Sequence, residues 1–274
     1  MKAFITPNKT SANGRRGAGL VPVELLKKAA VLVFWLLIWQ LAYWAVDREL
    51  YLPAPLTVLQ RLAELIRLKA FWADTLWSVL RVAEGFVLAL ALAVLLGVAS
   101  GLSRLVHTLI SPLVTAIKAT PVMSFIMIAL FWFSSGQVPV FICFLMCFPI
   151  VWTPMVEGFR NVDGQLLEMS RVFRVRLWVR IRRLYIPSLL PFFTPACLNA
   201  LGYGWKVGVA AEVLSHPARS IGSHMYEAKA YLDSAELFAW TVVVIALSMG
   251  FERLFTLLIR RLPAGNREVT RPDA

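Results

Sequence analysis

Six stretches of this chain are apolar for about the length needed to cross a bilayer, and nothing else in it restricts the fold as much. A helix needs about 20 predominantly apolar residues to span the roughly 30 Å hydrocarbon core. Runs of that kind lie at 29–46, 86–102, 109–133, 138–152, 191–214 and 237–259. With 59% hydrophobic and only 16% charged residues, the composition is that of a polytopic membrane protein and not of a water-soluble domain. The expected fold is all-α, with about six transmembrane helices between residues 29 and 260, a polar tail over 1–28 and a second tail over 261–274.

The formal charge of +12 would suit a nucleic-acid partner if it formed one patch, but it follows alternate loops. With the N-terminus inside, eighteen Lys or Arg fall on the inner side and seven on the outer, the asymmetry that orients helices during insertion. Both termini and the 155–190 loop are therefore expected in the cytoplasm. No aromatic stacking platform accompanies the basic loop, so no nucleic acid is expected. The first apolar run follows a long polar tail and lacks a small-residue cleavage site, which reads as a retained anchor.

Between the runs, local chemistry marks several special places. Residues 56–71 place Val58, Leu59, Leu62, Leu65 and Ile66 opposite Gln60, Arg61, Glu64 and Arg67, an amphipathic helix lying in the outer interface or packed on the bundle. Gly97 and Gly101, four apart, let helix backbones approach closely, within the chain or between two copies. Pro112, Pro121, Pro139, Pro149, Pro191 and Pro195 each remove a helical N–H, and freed carbonyls survive in lipid only against protein or a water-filled cavity. The broken helices are expected to face inward, with irregular backbone at Thr120-Pro121 and at 134–137. Cys143, Cys147 and Cys197 lie in apolar runs as small core residues, the first two sharing a helix face that would also suit a weak soft-metal site. Residues 215–233, with His216 and His224, read as a solvated outer loop available to an extracellular partner.

The 155–190 segment is polar, rich in arginine and amphipathic. Asp163 can cap a helix start, after which Leu166, Leu167, Met169, Ser170 and Phe173 fall near one face while Arg171 and Arg174 fall elsewhere. Such a ridge suits insertion into a carboxylate-lined groove, each buried apolar side chain contributing about 1.5 to 3 kcal/mol before costs. A basic loop held against anionic headgroups is the alternative, but it needs neither a defined ridge nor a fixed proline beyond it. Glu168 opens a pattern that closes nineteen residues on at Pro187. It resembles the E-A-A loop of bacterial ABC importer permeases, which runs Glu-Ala-Ala, three residues, Gly, nine residues, Ile-x-Leu-Pro. Met169 and Ser170 replace the alanines, Arg174 the glycine, Leu184 the isoleucine and Ile186 the leucine. If that glycine position has positive φ, an arginine there costs about 1 to 2 kcal/mol.

The resemblance extends over roughly 30–260 through Leu52-Pro53-Ala54-Pro55, Ser78-x-x-Arg81-x-x-x-Gly85, Gly97-x-x-x-Gly101, Thr120-Pro121, and Gly204-Trp205-Lys206 followed by Ala211-Glu212. The order is similar to that of the nitrate, sulfonate and taurine branch. It implies a type I permease bundle, a second permease copy (most simply a homodimer), two cytoplasmic ATPase subunits, an external solute-binding protein and a small anionic solute. It also assigns Asp163, Leu166, Leu167, Glu168, Met169, Ser170, Phe173, Arg174 and Pro187 to ATPase coupling in a bacterial inner membrane. The chain has no G-x-x-x-x-G-K-[ST] phosphate loop, so ATP hydrolysis is expected on a separate subunit, and no cofactor or metal is implied. A secondary carrier would share the bundle but would not need the ridged basic loop.

Charges inside the crossings point to a pathway by default, since each costs about 2.5 to 3.5 kcal/mol near the bilayer centre. Lys118, Lys206 and Glu212 are the candidates, with Thr120, Pro121 and Trp205 beside them. Lys206 could meet an oxyanion in transit, and it suits better the neutralising of a helix end or of another subunit's acid. Glu252 and Arg253, near one end of the last run, are expected to snorkel. Lys206 and Glu212, six apart, are not expected to pair with each other.

Overall fold

The structure is a computed structural model that describes residues 20–260. Expectations for 1–19 and 261–274 lie outside it. The chain divides into two compact units, residues 1–57 and 58–274. In the first, α1 (Leu20–Val46) starts nine residues before its apolar window, which begins at Ala29. Asp47, with φ +48°, ends it in the left-handed conformation. The turn that follows is tied back by Trp39 Nε1–H donating to Pro53 O at 3.1 Å and Tyr43 Oη–H to Glu49 at 3.2 Å.

The second unit is built on three long helices, α3 (Lys69–Leu102), α6 (Val138–Arg160) and α9 (Ile186–Ser215). α3 runs well before the expected start at Phe86, because 69–85 continues the same helical pattern with Phe71, Asp74, Ser78 and Val82 turned inward. α6 is buried along most of its length. Small residues set these distances. A Cβ on Gly97 would lie 2.7 Å from Met155 Cβ, one on Gly101 would collide with the Phe159 ring, and one on Gly204 would lie 2.5 Å from Cys147 Sγ. Of the two uses open to Gly97 and Gly101, the structure takes the one within the chain, packing α3 on α6. Cys143 and Cys147 are buried and donate to the carbonyls of Val82 and Ala200 at 3.4 and 3.2 Å, small thiols at the points of closest helix approach.

The run 109–133 is not one straight crossing. It is α4 (Arg104–Ala119) and α5 (Val122–Trp132), bent by 106° at Thr120-Pro121. Proline forces the preceding residue out of the helical region, and Thr120 sits at φ −87°, ψ 133°. Both ends of α4 reach the same level of α6: His107 stacks on Trp152 and Lys118 Nζ donates to Thr153 Oγ1 at 2.8 Å. Hence α4 runs across α6, and α5 turns back along it, burying Ile126 and Ala129 against Ile142, Met146, Val207 and Ala211. Among the described residues, five helices are each long and apolar enough to cross, six with the bent pair.

α2 (Pro55–Arg67) buries Val58 and Leu65 and leaves Leu59 and Ile66 exposed. Arg61 donates to Glu236 of α11 (Ser234–Arg260) at 2.8 Å and to Glu64 at 2.9 Å, so α2 is held to the bundle. Those two bonds push the Arg61 guanidinium above its ordinary pKa, and the tether keeps its charge at every pH a cell meets.

The prolines do not all lie in the core of the chain. Pro139 and Pro149 are buried in α6, but Pro112, Pro191 and Pro195 are exposed on the surface of the chain. Nor is 177–190 a loop. Short α8 (Leu177–Arg180), a π turn over Ile181–Tyr185, and α9 form one 39-residue rod. Pro187 lacks an N–H and its ring crowds the carbonyl of Arg183. The wider turn, in which Ile186 N–H reaches Ile181 O, absorbs that crowding.

Candidate functional site

At the end of the bundle where α6 stops, the chain makes a basic elbow. Asp163 Oδ1 accepts from Gln165 N–H at 2.8 Å and starts α7 (Gly164–Val172), as its position suggested. Leu166, Met169, Val172 and Phe173 project outward, Met169 at 51% and Phe173 at 74% exposure. Ser170 does not share that ridge. It is buried beneath α7 and donates to Leu167 O at 2.7 Å, with Leu167 half-buried. Glu168 is exposed, and Pro187 stands just past the π turn. Leu177 and Trp178, at the start of the rod, extend the exposed apolar surface.

Arg174 has φ +48°, so the condition under which an arginine at the glycine position is strained is met. Its N–H reaches Arg171 O at 3.0 Å and the next, Val175 N–H, reaches Ser170 O at 2.9 Å. These are the paired bonds of a Schellman ending, in which an L-residue replaces the usual glycine. The turn ends α7 just before the rod that begins at Leu177.

The opposite end is organised around Glu212, which is 0% exposed. Its Oε2 accepts from Ser78 Oγ–H at 2.8 Å and Gly222 N–H at 3.2 Å, and its Oε1 from Arg81 Nη1 at 3.1 Å. Arg81 also donates to the carbonyls of Ala218 and Arg219 at 2.8 and 3.0 Å, while Ser78 Oγ accepts from Ile221 N–H at 2.9 Å. One carboxylate thus joins α3, α9 and the N-terminus of α10 (Ile221–Ala230). A buried charge is tolerable only when paired and hydrogen-bonded in this way, and the start of a helix favours an anion. Every oxygen is occupied, so Glu212 is a structural staple and does not line an open space.

The other sequence candidates separate. Trp205 is fully buried, donating to Val244 O at 3.0 Å and packing edge-on against Phe251 at 5.0 Å. It anchors α9 to α11 and does not face a cavity. Lys206, the next residue, is exposed and has no hydrogen-bond or ion-pair partner among the described residues. Lys118 bridges to α6, and Thr120 and Pro121 make the bend. Glu252 and Arg253 are exposed near the end of α11.

Residues 215–233 are mostly helix and not a solvated loop. His224 contacts buried Asp74 at 2.8 Å and stacks on Trp240 at 5.0 Å. Sequence reasoning missed the roles of Asp74, Ser78, Arg81 and His224. Arg81 and Ser78 shared a helix face three residues apart, but their acceptors lie more than 130 positions away.

Residues 85–263 match the family described as binding-protein-dependent transport system inner membrane component. The chain is 30% identical over 212 residues to a Brucella melitensis protein named as an ABC transporter permease, covering 77% of this chain and 86% of that one. It is 25% identical over 278 residues to the bicarbonate transport system permease protein of Synechococcus elongatus, covering 94% and 98%. With the taurine transport system permease protein of Escherichia coli the identity is 26% over 253 residues, covering 88% of each.

Proposed function

Since the chain belongs to the binding-protein-dependent transport system inner membrane components, we propose that it forms the translocation path of an ATP-driven importer and is driven through its basic elbow by a separate ATPase. The observation that carries this reading is the α7 ridge, where Met169, Val172 and Phe173 stand exposed and fringed by Arg171, Arg174 and Arg176. An amphipathic helix with such a ridge is recognised by a groove. Asp163 and Arg174 fix its two ends, and Pro187 sets the rod to which the push is passed. Moving a permease from mostly one open state to mostly the other takes about 5.5 kcal/mol of differential binding, within reach of two ATPases closing on nucleotide.

The membrane domain covers 29–260, the elbow 155–190 and both termini are cytoplasmic, and α10 faces the external binding protein. Two copies of the permease, most simply identical, assemble with two ATPases. The solute is a small anion of the class carried by the bicarbonate and taurine relatives, with nitrate and sulfonates in the same range.

Two measurements test this. Met169→Asp with Phe173→Asp should abolish co-purification with the ATPase while the permease still inserts; a complex that survives removes the elbow from the mechanism. The three native cysteines are buried, so a cysteine placed at Phe173 reports sidedness with an impermeant thiol reagent. Labelling on intact cells would overturn the topology.

A further inference from the structure

Two independent features share the exposed face of α9. The first is backbone: Pro191 and Pro195 have no N–H, so the carbonyls of Pro187 and Pro191 lose their helical donors. Both prolines are exposed; the Pro187 carbonyl lies in the elbow, and the Pro191 carbonyl, at the start of the crossing, is tolerated at membrane depth only where protein or water supplies a donor. The second is charge. On the same exposed stripe come Asn199, Tyr203 and Lys206, polar groups in a run otherwise fit for lipid.

Packing fixes the rotation that exposes this stripe. Gly204 is jammed against Cys143 and Cys147, and Gly208 against Val82, while Trp205 is pinned to α11. At 100° per residue, Lys206 lies nearly opposite Gly204. It is nine residues, about 13 Å, from the end of α9 at Ser215. Because Cβ bonds tilt toward the helix N-terminus, its stem points away from that nearer end, which works against snorkelling there.

We infer that the Pro191, Pro195, Asn199, Tyr203 and Lys206 stripe of α9 lines the water-filled path, completed by the facing stripe of a second copy, and that Lys206 is its binding rung for a small oxyanion. This rests on the importer reading above. An ammonium that meets no counter-charge among the described residues raises the local anion concentration in a low-dielectric cleft. Tyr203 and Asn199, three and seven residues earlier, offer hydroxyl and amide donors along the same side.

The test uses the whole complex of permease, ATPase and binding protein in lipid nanodiscs. A Tyr203→Cys variant is exposed to two thiol reagents of similar size, the anionic 2-sulfonatoethyl and the cationic 2-trimethylammonioethyl methanethiosulfonates. Side chains three apart on a helix are neighbours, so Lys206 should favour the sulfonate. Adding Lys206→Gln should lower the anion-to-cation rate ratio about tenfold or more, and Lys206→Arg should keep it high. Asn199→Cys, one turn deeper, gives the same reading if Tyr203→Cys fails to assemble.

The inference is overturned if neither cysteine reacts with either reagent, or if the ratio ignores Lys206→Gln. It is overturned also if Lys206→Gln splits the two copies with the ratio unmoved. That result would make Lys206 the counter-ion of an acid on the second copy. ATPase association and ATP hydrolysis by the unsubstituted complex are measured first. Their absence defeats the importer reading, whereas a working complex with unreactive cysteines defeats only the rung.

Discussion

Replacing Arg174 by glycine should tighten the elbow, although it deletes a charge from its basic rim. Arg174 holds φ +48°, a region that costs an L-residue about 1 to 2 kcal/mol and glycine almost nothing. Glycine in turn loses about 0.4 to 1 kcal/mol through the greater freedom of the open chain. The difference leaves the closed turn favoured by about 1 kcal/mol over Arg174→Ala, which removes the same guanidinium but keeps the strained backbone. The assay is hydrogen exchange at the Val175 amide, whose bond to Ser170 O at 2.9 Å closes the turn. With tenfold for each 1.4 kcal/mol, Val175 should exchange about fivefold more slowly in the glycine variant than in the alanine one. Equal rates would mean that the turn at Arg174 is not left-handed in the native protein, and the account of how α7 ends would fail.

The buried staple makes sharper demands. Glu212→Ala leaves Arg81 without its counter-charge and should cost about 3 to 5 kcal/mol, read as a large fall in detergent melting temperature, with Glu212→Gln falling less. Ser78→Ala removes both the Glu212 donor and the Ile221 acceptor, and about 1 to 3 kcal/mol of loss is expected in the same melt. Gly222→Ala should prevent stable expression, because its Cβ would lie 2.5 Å from the backbone nitrogen of Val213. Gly250→Ala, with open space around it, should melt within about 0.5 kcal/mol of the parent.

Local chemistry carried much of the architecture. The helical, membrane-crossing character of the apolar runs, the cap at Asp163, the break at Thr120-Pro121 and the conditional strain at Arg174 all depend on interactions within a few residues, and periodicity or residue type reports those directly. Failures occurred where local pattern was ambiguous. Residues 177–190 carry enough arginine to look like a loop, yet arginine is also a good helix former, and a π turn let the helix pass Pro187. Residues 215–233 looked solvated because their polar groups are visible in sequence and their partners on α3 and α11 are not.

What the sequence determined alone is that this chain lies in lipid, as helices, with one basic elbow, since bilayer thickness and backbone hydrogen bonding act on each segment separately. Only the tertiary structure decided that Glu212 and Trp205 serve packing while Lys206 faces outward. Which side of α9 is free depends on where glycines and cysteines let α3 and α6 press against it, and such contacts join residues far apart in the chain.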